Sequence, residues 1–348
     1  MHPSYRRVAA TAVALALVAG CSSGKKPAPQ AQPTTATPSP SSASPTPTPS
    51  PTRGGLVSPF TGLPVDRLRP VIAVKVDNAV LARPQRGLDQ ADIVYEEVVE
   101  GRTTRFVAIF SSKEAPEIGP VRSVRESDMP LLAMYGRVAF AFSGGNKGVF
   151  ATVRKSNVID ASFNSNRGAY TIAGRRIDAY NYITSSQRLL AVAPKAVAAH
   201  DIGLRFGDLP AGGKGTTLGT RADLVWSRYA RTGWKWDANR KVYVRFMDGR
   251  PAMLRNGVQQ QAPTVVIQYV QVKSSRYSDV HGAVSPYTVT TGKGNAVVLR
   301  DGRAIAGTWA RSGTGATRFL GKDGKDINLH TGPVWVMLVP NDLTVKVG

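Results

Sequence analysis

Residues 71–78 read Val-Ile-Ala-Val-Lys-Val-Asp-Asn, an almost continuous apolar run that ends in two polar side chains. Such a run is typical of a strand that is buried on both faces of a sheet. Residues 93–99 and 105–110 predict two more strands, joined by a tight turn at Gly101. The other predicted elements of this region are a helix at 129–135, a strand at 138–142 and a helix at 185–192. Residues 56–208 therefore predict an α/β domain with a mixed sheet.

Beyond a glycine-rich joint at 211–215, the helical period disappears. The predicted strands are 241–246, 264–272, 296–300 and 334–339, and Asp-Gly steps lie at 248–249, 301–302 and 323–324. Asp-Gly between apolar alternations is a strong hairpin signal. Residues 216–348 therefore predict a mainly antiparallel β domain, and the fold class of the whole chain is α+β.

Cys21 is the only cysteine among 348 residues, and it follows a short apolar segment that begins after Arg6 and Arg7. Residues 1–20 predict a signal peptide, and the run Val-Ala-Gly-Cys at 18–21 matches the pattern at which bacterial lipoproteins are cleaved and lipidated. An ordinary secretory signal with an incidental cysteine is the alternative. Lipidation of Cys21 predicts an anchor on the outer face of the cytoplasmic membrane, with the protein outside the cytoplasm.

Residues 21–55 are rich in Pro, Thr and Ser and predict a disordered tether. At about 3.1 Å per residue, an extended polyproline conformation would span on the order of 100 Å. The tether would carry the folded part away from the lipid surface and into the wall layer.

The net charge of the chain is +22, and +17 remains on residues 56–348 after the charges of residues 1–55 are removed. For an exported protein, this charge favours anionic phospholipid or a phosphate-bearing wall polymer as partner, with no nucleic acid expected. A compositional bias toward arginine is the alternative. The single cysteine excludes an intramolecular disulfide, and its lipidation would exclude a thiol nucleophile.

Asp77 and Asn78 directly follow the first predicted strand. Ligands of open α/β sheets bind beyond the carboxyl ends of strands, so Asp77 is a candidate for binding a cation or a hydroxyl group, or for acting as a base. In the alternative, both side chains bond nearby backbone amides in a turn.

The segment 119–126 is the strongest candidate for an anion site. Arg122, Ser123 and Arg125 precede a predicted helix, and Ser123 with Glu126 fits a capping box, with Asp128 as an alternative cap. Guanidinium groups beside a helix N-terminus attract anions. The alternative is that the arginines pair internally with Glu96, Glu97 or Glu100.

The carboxylates of the second strand raise the possibility of a hydrolase, because glycosidases use paired acids. Adjacent strand residues Glu96 and Glu97 would point to opposite faces, and Glu96 and Glu100 would lie roughly 13 Å apart. We predict that Glu97 needs a buried partner such as Arg105 or Arg122, and that structural pairing is favoured over catalysis.

Sequence motifs for other chemistry are missing. The histidines have no paired spacing for zinc, residues 207–215 lack the order of a phosphate-binding loop, and no Gly-x-Ser-x-Gly step occurs. We therefore predict no metal and no cofactor.

Several short stretches of the first half, spread over about fifty residues, occur in the same order as in a known family. They are Arg69-Pro70-Val71, Asp77-Asn78, Ala82-Arg83-Pro84-Gln85, Gly87-Leu88, Ala91-Asp92-Ile93-Val94-Tyr95-Glu96, Val99-Glu100-Gly101, Thr104-Arg105-Phe106 and Ile118-Gly119-Pro120-Val121-Arg122-Ser123 with Arg125. In these stretches the chain resembles the YerB-like family of bacterial lipoproteins, and residues 307–309 and 332–336 resemble it more weakly. Departures are Arg102, where a second glycine is usual, and residues 179–182. The resemblance implies a two-domain extracytoplasmic lipoprotein of known fold and unknown function, without catalytic residues to carry over.

Two functions follow as hypotheses. The first is a membrane-tethered binding or scaffold protein whose basic groove holds an acidic envelope component. The second is a hydrolase of a wall polymer that uses Asp77 with Glu96 or Glu97, and the missing motifs favour the first. The candidate ligand-binding residues are Asp77, Asn78, Arg83, Gln85, Glu96, Glu97, Arg105, Arg122, Ser123 and Arg125.

Overall fold

The computed structural model of the protein describes residues 55–174 and 180–348. The predicted signal peptide, the lipidation site Cys21 and the tether up to residue 54 lie outside the described residues. Within the described ranges, no helix combines the length and the apolar character that a membrane crossing requires.

The first half of the described chain contains short helices between strands. Its strands are β1 (Ile72–Asp77), β2 (Ile93–Val98), β3 (Thr104–Phe110), β4 (Ala139–Ala141), β5 (Ile159–Asp160), β6 (Thr171–Ile172) and β7 (Tyr182–Ile183). Its α-helices are α1 (Asp128–Leu132), α2 (Lys147–Lys155) and α3 (Ser186–Val192). Helix α1 begins at Asp128 and Ser127 makes no side-chain cap, so the capping box predicted for Ser123 and Glu126 does not form.

The second half of the described chain is almost entirely β. Its strands are β8 (Thr217–Leu218), β9 (Arg221–Ser227), β10 (Ala230–Asp237), β11 (Val242–Met247), β12 (Arg250–Pro251), β13 (Gln261–Ala262), β14 (Thr264–Val270), β15 (Val272–Ser278), β16 (Val284–Thr288), β17 (Gly292–Arg300), β18 (Arg303–Arg311), β19 (Arg318–Gly321), β20 (Val334–Pro340) and β21 (Lys346–Val347). Asp248-Gly249 and Asp301-Gly302 form the predicted hairpin turns, with positive φ at all four residues.

One long sheet runs through both halves of the chain, in the order β19-β18-β17-β14-β20-β2-β3-β1-β4-β5. Strands β2, β3 and β1 are antiparallel, while β4 and β5 run parallel to β1. The halves join where β2 pairs in parallel with β20, with Tyr95 opposite Val336. The predicted α+β fold with a mixed N-terminal sheet is confirmed. The domain boundary between residues 208 and 216 stays a prediction.

The two faces of the long sheet have different covers. Val71, Ala73 and Ile93 pack with buried residues of α1 and α2, and we call this the helix-covered face. Ile72 and Val94 pack on the opposite face against buried residues of a second, antiparallel sheet, in the order β12-β11-β10-β9-β21, which we call the sheet-covered face. Because side chains alternate along a strand, neighbouring residues of β1 and β2 are sent to different sides.

Candidate functional site

A cleft of about 450 Å³ opens on the helix-covered face, beside the end of β1. Cationic groups from distant parts of the chain line it. We call it the basic cleft and define it by Arg105, Arg122, Ser123, Arg125, Lys147 and His281.

Secondary structure fixes the arginines of the basic cleft from two directions. Arg105 extends from β3, where its backbone lies opposite Asp77 of β1. The loop before α1 supplies Arg122 and is pinned to the sheet, because the amide of Arg122 donates to the carbonyl of Lys75 at 2.8 Å. Ser143 in turn donates its amide to the carbonyl of Arg122.

Asp77 lies behind the cleft and is 2 % exposed. One of its carboxylate oxygens accepts the amides of Asn78 and Ala79, and the other lies 2.8 Å from Nε of Arg122. The turn that was the alternative for Asp77 therefore forms, and the second oxygen of this carboxylate balances a cleft arginine. A ligand-binding or basic role of Asp77 stays a prediction.

Arg105 is 9 % exposed, and its Nε and Nη1 are buried without a hydrogen-bond partner among the described residues. The nearest carboxylate oxygen, on Asp77, is 3.8 Å from Nε. Burial lowers the pKa of Arg105 to about 10, and the positive charges of Arg125 and Arg122 act in the same direction. A buried guanidinium in the wall of an open cleft, without a full set of hydrogen bonds, favours an anion nearby.

Arg125 is held by a carboxylate. Its Nε donates to Glu100 at 2.8 Å and its Nη2 donates to the second oxygen of Glu100 at 2.5 Å. Burial would raise the pKa of Glu100, but the hydrogen bonds and charge of Arg125 outweigh it and lower that pKa to about 2. Arg125 is therefore anchored in the wall of the cleft, whereas Arg105 has no such hydrogen-bonded carboxylate among the described residues.

The N-terminus of helix α2 also faces the cleft. Asn146 caps it, with Oδ1 accepting the amide of Gly148 and the backbone carbonyl accepting the amide of Phe150. Among the described residues, the first-turn amides of Lys147 and Val149 have no such partner. Lys147 is exposed and forms no ion pair with any residue that the structure describes.

The hairpin β15–β16 forms the opposite wall of the cleft. Asn146 donates its side-chain amide to the carbonyl of Ser278, and Ser275 donates its hydroxyl to Glu126 at 2.6 Å. The ring of Tyr277 packs on Gly148 so closely that a Cβ there would lie 2.1 Å from the ring. Only glycine permits this contact between the hairpin and α2.

Near the end of β1, on the helix-covered face, Lys75 is completely buried and binds two carboxylates. Its Nζ contacts Glu97 and lies 2.7 Å from Asp128. The predicted partners of Glu97, Arg105 and Arg122, are therefore wrong. Lys75 lies on β1 and Glu97 on β2, with β3 between them, and both side chains are on the helix-covered face, so the long lysine side chain reaches across β3 to Glu97.

The stability of the protein is expected to depend on the protonation of Glu97. Burial raises the pKa of Glu97 to about 7, since the loss of water outweighs the attraction of Lys75, and Asp128 adds repulsion. The ordinary value is 4.5, so the folded state binds more protons than the unfolded state between these limits. This contribution is complete below pH 4.5 and is lost as the pH rises through about 7.

We expect the unfolding free energy of the wild type, relative to Glu97→Gln, to fall by about 2–3 kcal/mol between pH 4.5 and about 8. Urea titrations at a series of pH values measure it. Glu114→Gln, at an exposed acid, serves as the control and should follow the wild type. Parallel curves for wild type and Glu97→Gln would contradict the assignment.

Glu96 points to the sheet-covered face and meets a different partner. Arg245 donates to Glu96 at 2.7 Å, and the hydroxyls of Thr104 and Thr232 donate to the same oxygen. Both Glu96 and Arg245 are fully buried, and burial lowers the pKa of Arg245 although Glu96 opposes this. A dissolved polymer cannot reach Glu96 in this arrangement.

Asn78 and Gln85 extend this buried network away from the basic cleft. Gln85 donates to Asn78 at 3.0 Å, and Gln260 donates to Gln85 at 2.9 Å. Arg83 binds the carbonyl of Asn78 and pairs with Asp248 at 2.6 Å. Arg83, Asn78 and Gln85 thus tie the two halves of the chain together.

The structure divides the predicted site residues into two groups. Arg105, Arg122, Ser123 and Arg125 line the basic cleft, with Asp77 directly behind them. The residues that lie elsewhere, in buried or interdomain contacts, are Asn78, Arg83, Gln85, Glu96 and Glu97.

Sequence reasoning missed Lys147, His281 and helix α2. A local signal for the helix was present, because Asn146 is a favoured N-cap residue. His281 had none, since it lies more than 150 positions from Arg122 on a hairpin that the pattern did not predict. Within the described residues, no three His, Cys, Asp or Glu side chains are grouped as a metal site would require.

Comparisons with known proteins fit this architecture. Residues 60–199 match the family described as "Protein of unknown function (DUF3048) N-terminal domain", and residues 222–336 match its C-terminal domain. The protein named "Putative lipoprotein YerB" from Bacillus subtilis (strain 168) is 50% identical over 74 residues, which are 20% of this chain and 22% of that protein. The alignment therefore spans about a fifth of the relative's length.

The crystal structure of YerB protein from Bacillus subtilis has the same fold. It matches with a TM-score of 0.71 at 23% identity, over 84% of this chain and 99% of that one. The two family matches confirm the sequence resemblance noted above for both halves of the chain.

Proposed function

The chain belongs to the DUF3048 family, that of YerB, and from this membership and its basic cleft we propose that it is a lipid-anchored extracytoplasmic protein that binds an acidic component of the cell envelope. The cleft is the binding site. Cys21 is the anchor, on the outer face of the cytoplasmic membrane.

The observation that carries this proposal is the state of Arg105. This guanidinium is 9 % exposed and lines an open cleft, and two of its nitrogens are buried without a hydrogen-bond partner among the described residues. Burying a cation without full hydrogen bonding costs free energy, which an anionic ligand in the cleft would offset. Lys147 adds a cation that forms no ion pair among the described residues.

Two further observations support the compartment and the ligand. The relative from Bacillus subtilis is named "Putative lipoprotein YerB", and the sequence at 18–21 has the cleavage pattern of lipoproteins. An exported protein whose residues 56–348 carry a net charge of +17 meets anionic phospholipids and acidic wall polymers.

The test is retention of the full-length protein on purified wall material and on anionic vesicles. We expect Arg122→Gln/Lys147→Gln to bind at least about 10-fold more weakly than the wild type, because two charge-assisted contacts are lost. The matched control is Arg86→Gln/Lys155→Gln. It removes the same charge, with Arg86 as exposed as Arg122 and paired to Glu117, and Lys155 at the other end of α2.

Equal retention of the two double variants would contradict a site in the basic cleft, because the binding would then follow net charge alone. Release of soluble fragments from the wall material would instead favour the hydrolase hypothesis. The structure offers that hypothesis no accessible acid pair in Glu96 and Glu97, since both are buried and engaged.

A further inference from the structure

We infer that the ligand of the basic cleft is a phosphate ester, with its phosphoryl group held between Arg105, Arg122 and the N-terminus of α2. This inference rests on the proposed function and names the chemistry of its ligand. A phosphate diester of a wall polymer and the headgroup of an anionic phospholipid share this chemistry.

Hydrogen-bond donors reach the basic cleft from several elements of the chain. Arg105 approaches from the sheet, Arg122 approaches from the loop before α1, and Lys147 contributes both an ammonium group and a free backbone amide. The amide of Val149 is free as well. A carboxylate offers two oxygens in one plane, whereas the tetrahedral phosphoryl group can accept from several directions at once.

The charged groups around the basic cleft leave an excess of positive charge. Arg105, Arg122, Arg125 and Lys147 face three carboxylates, namely Asp77 and Glu100 behind the wall and Asp279 at the rim. One positive charge remains, and the N-terminus of α2 adds a partial one. This excess of positive charge attracts the negatively charged phosphoryl group of an ester.

The size and the lining of the basic cleft also suit an ester. About 450 Å³ falls in the range of pockets that hold whole small molecules, so the cleft has room for the organic part of an ester. The rim provides neutral polar groups in Ser123, Asn146 and Ser278. These groups suit the hydroxyls of a polyol or sugar.

The experiment is calorimetric titration of the full-length protein in detergent at fixed ionic strength. The probes are glycerol 3-phosphate, inorganic phosphate and galacturonate, a sugar acid with a carboxylate. We expect glycerol 3-phosphate to bind at least about 10-fold more tightly than galacturonate, as charge-assisted contacts worth more than about 1.4 kcal/mol imply.

Two substitutions at one exposed position separate the side chain from the backbone amide. Lys147→Gln removes the charge and keeps the amide, whereas Lys147→Pro removes both. Proline is tolerated at the first position of a helix, and Asn146 already has the extended conformation that a following proline requires. We expect Lys147→Pro to weaken glycerol 3-phosphate binding several-fold more than Lys147→Gln, and Lys155→Gln to leave it unchanged.

The outcomes distinguish this inference from the proposed function. Galacturonate binding as tightly as glycerol 3-phosphate, with cleft variants still defective on wall material, would overturn the phosphate assignment and leave the binding function intact. If the wild-type protein binds none of the probes, the wall material or the vesicles, both the phosphate assignment and the proposed function are overturned. Vesicles of phosphatidylglycerol and a soluble poly(glycerol phosphate), compared side by side, identify which source of the ester is preferred.

Discussion

Replacement of Lys75 by methionine is expected to lower the unfolding free energy by about 3–5 kcal/mol, the cost typical of breaking a buried ion pair. The two lengths are similar, so the change removes the charge with little change in volume. Glu97 and Asp128 would then be left together, 1 % and 0 % exposed, without a cation. Urea unfolding at pH 7 measures the loss.

The size of the effect follows from the arrangement of three groups around one charge. Asp128 also accepts the amide of Arg125, and Ser127 donates to Glu97, so hydrogen bonds remain after the substitution. They cannot replace the missing positive charge, and at least one carboxylate must take up a proton to stay buried. We therefore expect the loss to be smaller at pH 5 than at pH 8.

Two variants complete this test. Lys75→Met/Glu97→Gln should recover part of the loss, because one of the two uncompensated carboxylates is gone. Lys155→Met, on the exposed end of α2, should change stability by less than about 0.5 kcal/mol. A Lys75→Met protein as stable as this control would show that Lys75 does not compensate the carboxylates.

The second large effect is expected at Arg245. Its replacement by methionine should cost about 3–5 kcal/mol, since Glu96 would lose its buried cation. The guanidinium carbon also lies 5.2 Å from the ring centroids of Phe106 and Trp335, so cation–π contacts are lost with the ion pair. Gln260 loses a donor as well.

Urea unfolding of the single and double variants tests this pair. Glu96→Gln/Arg245→Met should be more stable than Arg245→Met alone, because the neutral amide can stay buried without a counter-ion. Arg221→Met is the control, since Arg221 forms an exposed pair with Asp223 in the same second sheet and such pairs contribute at most about 1 kcal/mol. Equal losses at Arg221 and Arg245 would contradict a special role of the buried pair.

The strands of the long sheet were predictable because their apolar runs are local signals. Residues 71–76, 93–99 and 334–339 predicted three strands, and the ends of the observed strands lie within one residue of these bounds. The Asp-Gly turns were equally predictable, since few residues adopt two successive positive φ values. What the pattern could not give was the order of strands, in particular the pairing of β2 with β20.

Pairing partners were less predictable than strands. Glu97 was expected to bind a buried partner such as Arg105 or Arg122. The actual partner, Lys75, sits inside an apolar run, where a lysine is rarely fully buried unless it is paired. Its presence in that run was the usable signal.

Half of the basic cleft was also predictable. The arginines at 105, 122 and 125 come from phrases close together in sequence, and strand alternation brings Arg105 near Asp77. The opposite wall comes from α2 and from a hairpin about 150 residues further on. No short-range pattern links such distant segments, so only the folded chain shows that they enclose one site.

The continuous sheet has a consequence for how this protein can be divided. A cut near residue 212 would leave β2 without β20, and each fragment would expose a strand whose backbone hydrogen-bonding groups are unpaired. Such edges promote aggregation, so the separate fragments should be poorly soluble when each is produced alone. Mixed together, they carry complementary edges and the complementary charges of Glu96 and Arg245. The family's two halves are therefore better regarded as one cooperative folding unit than as interchangeable modules.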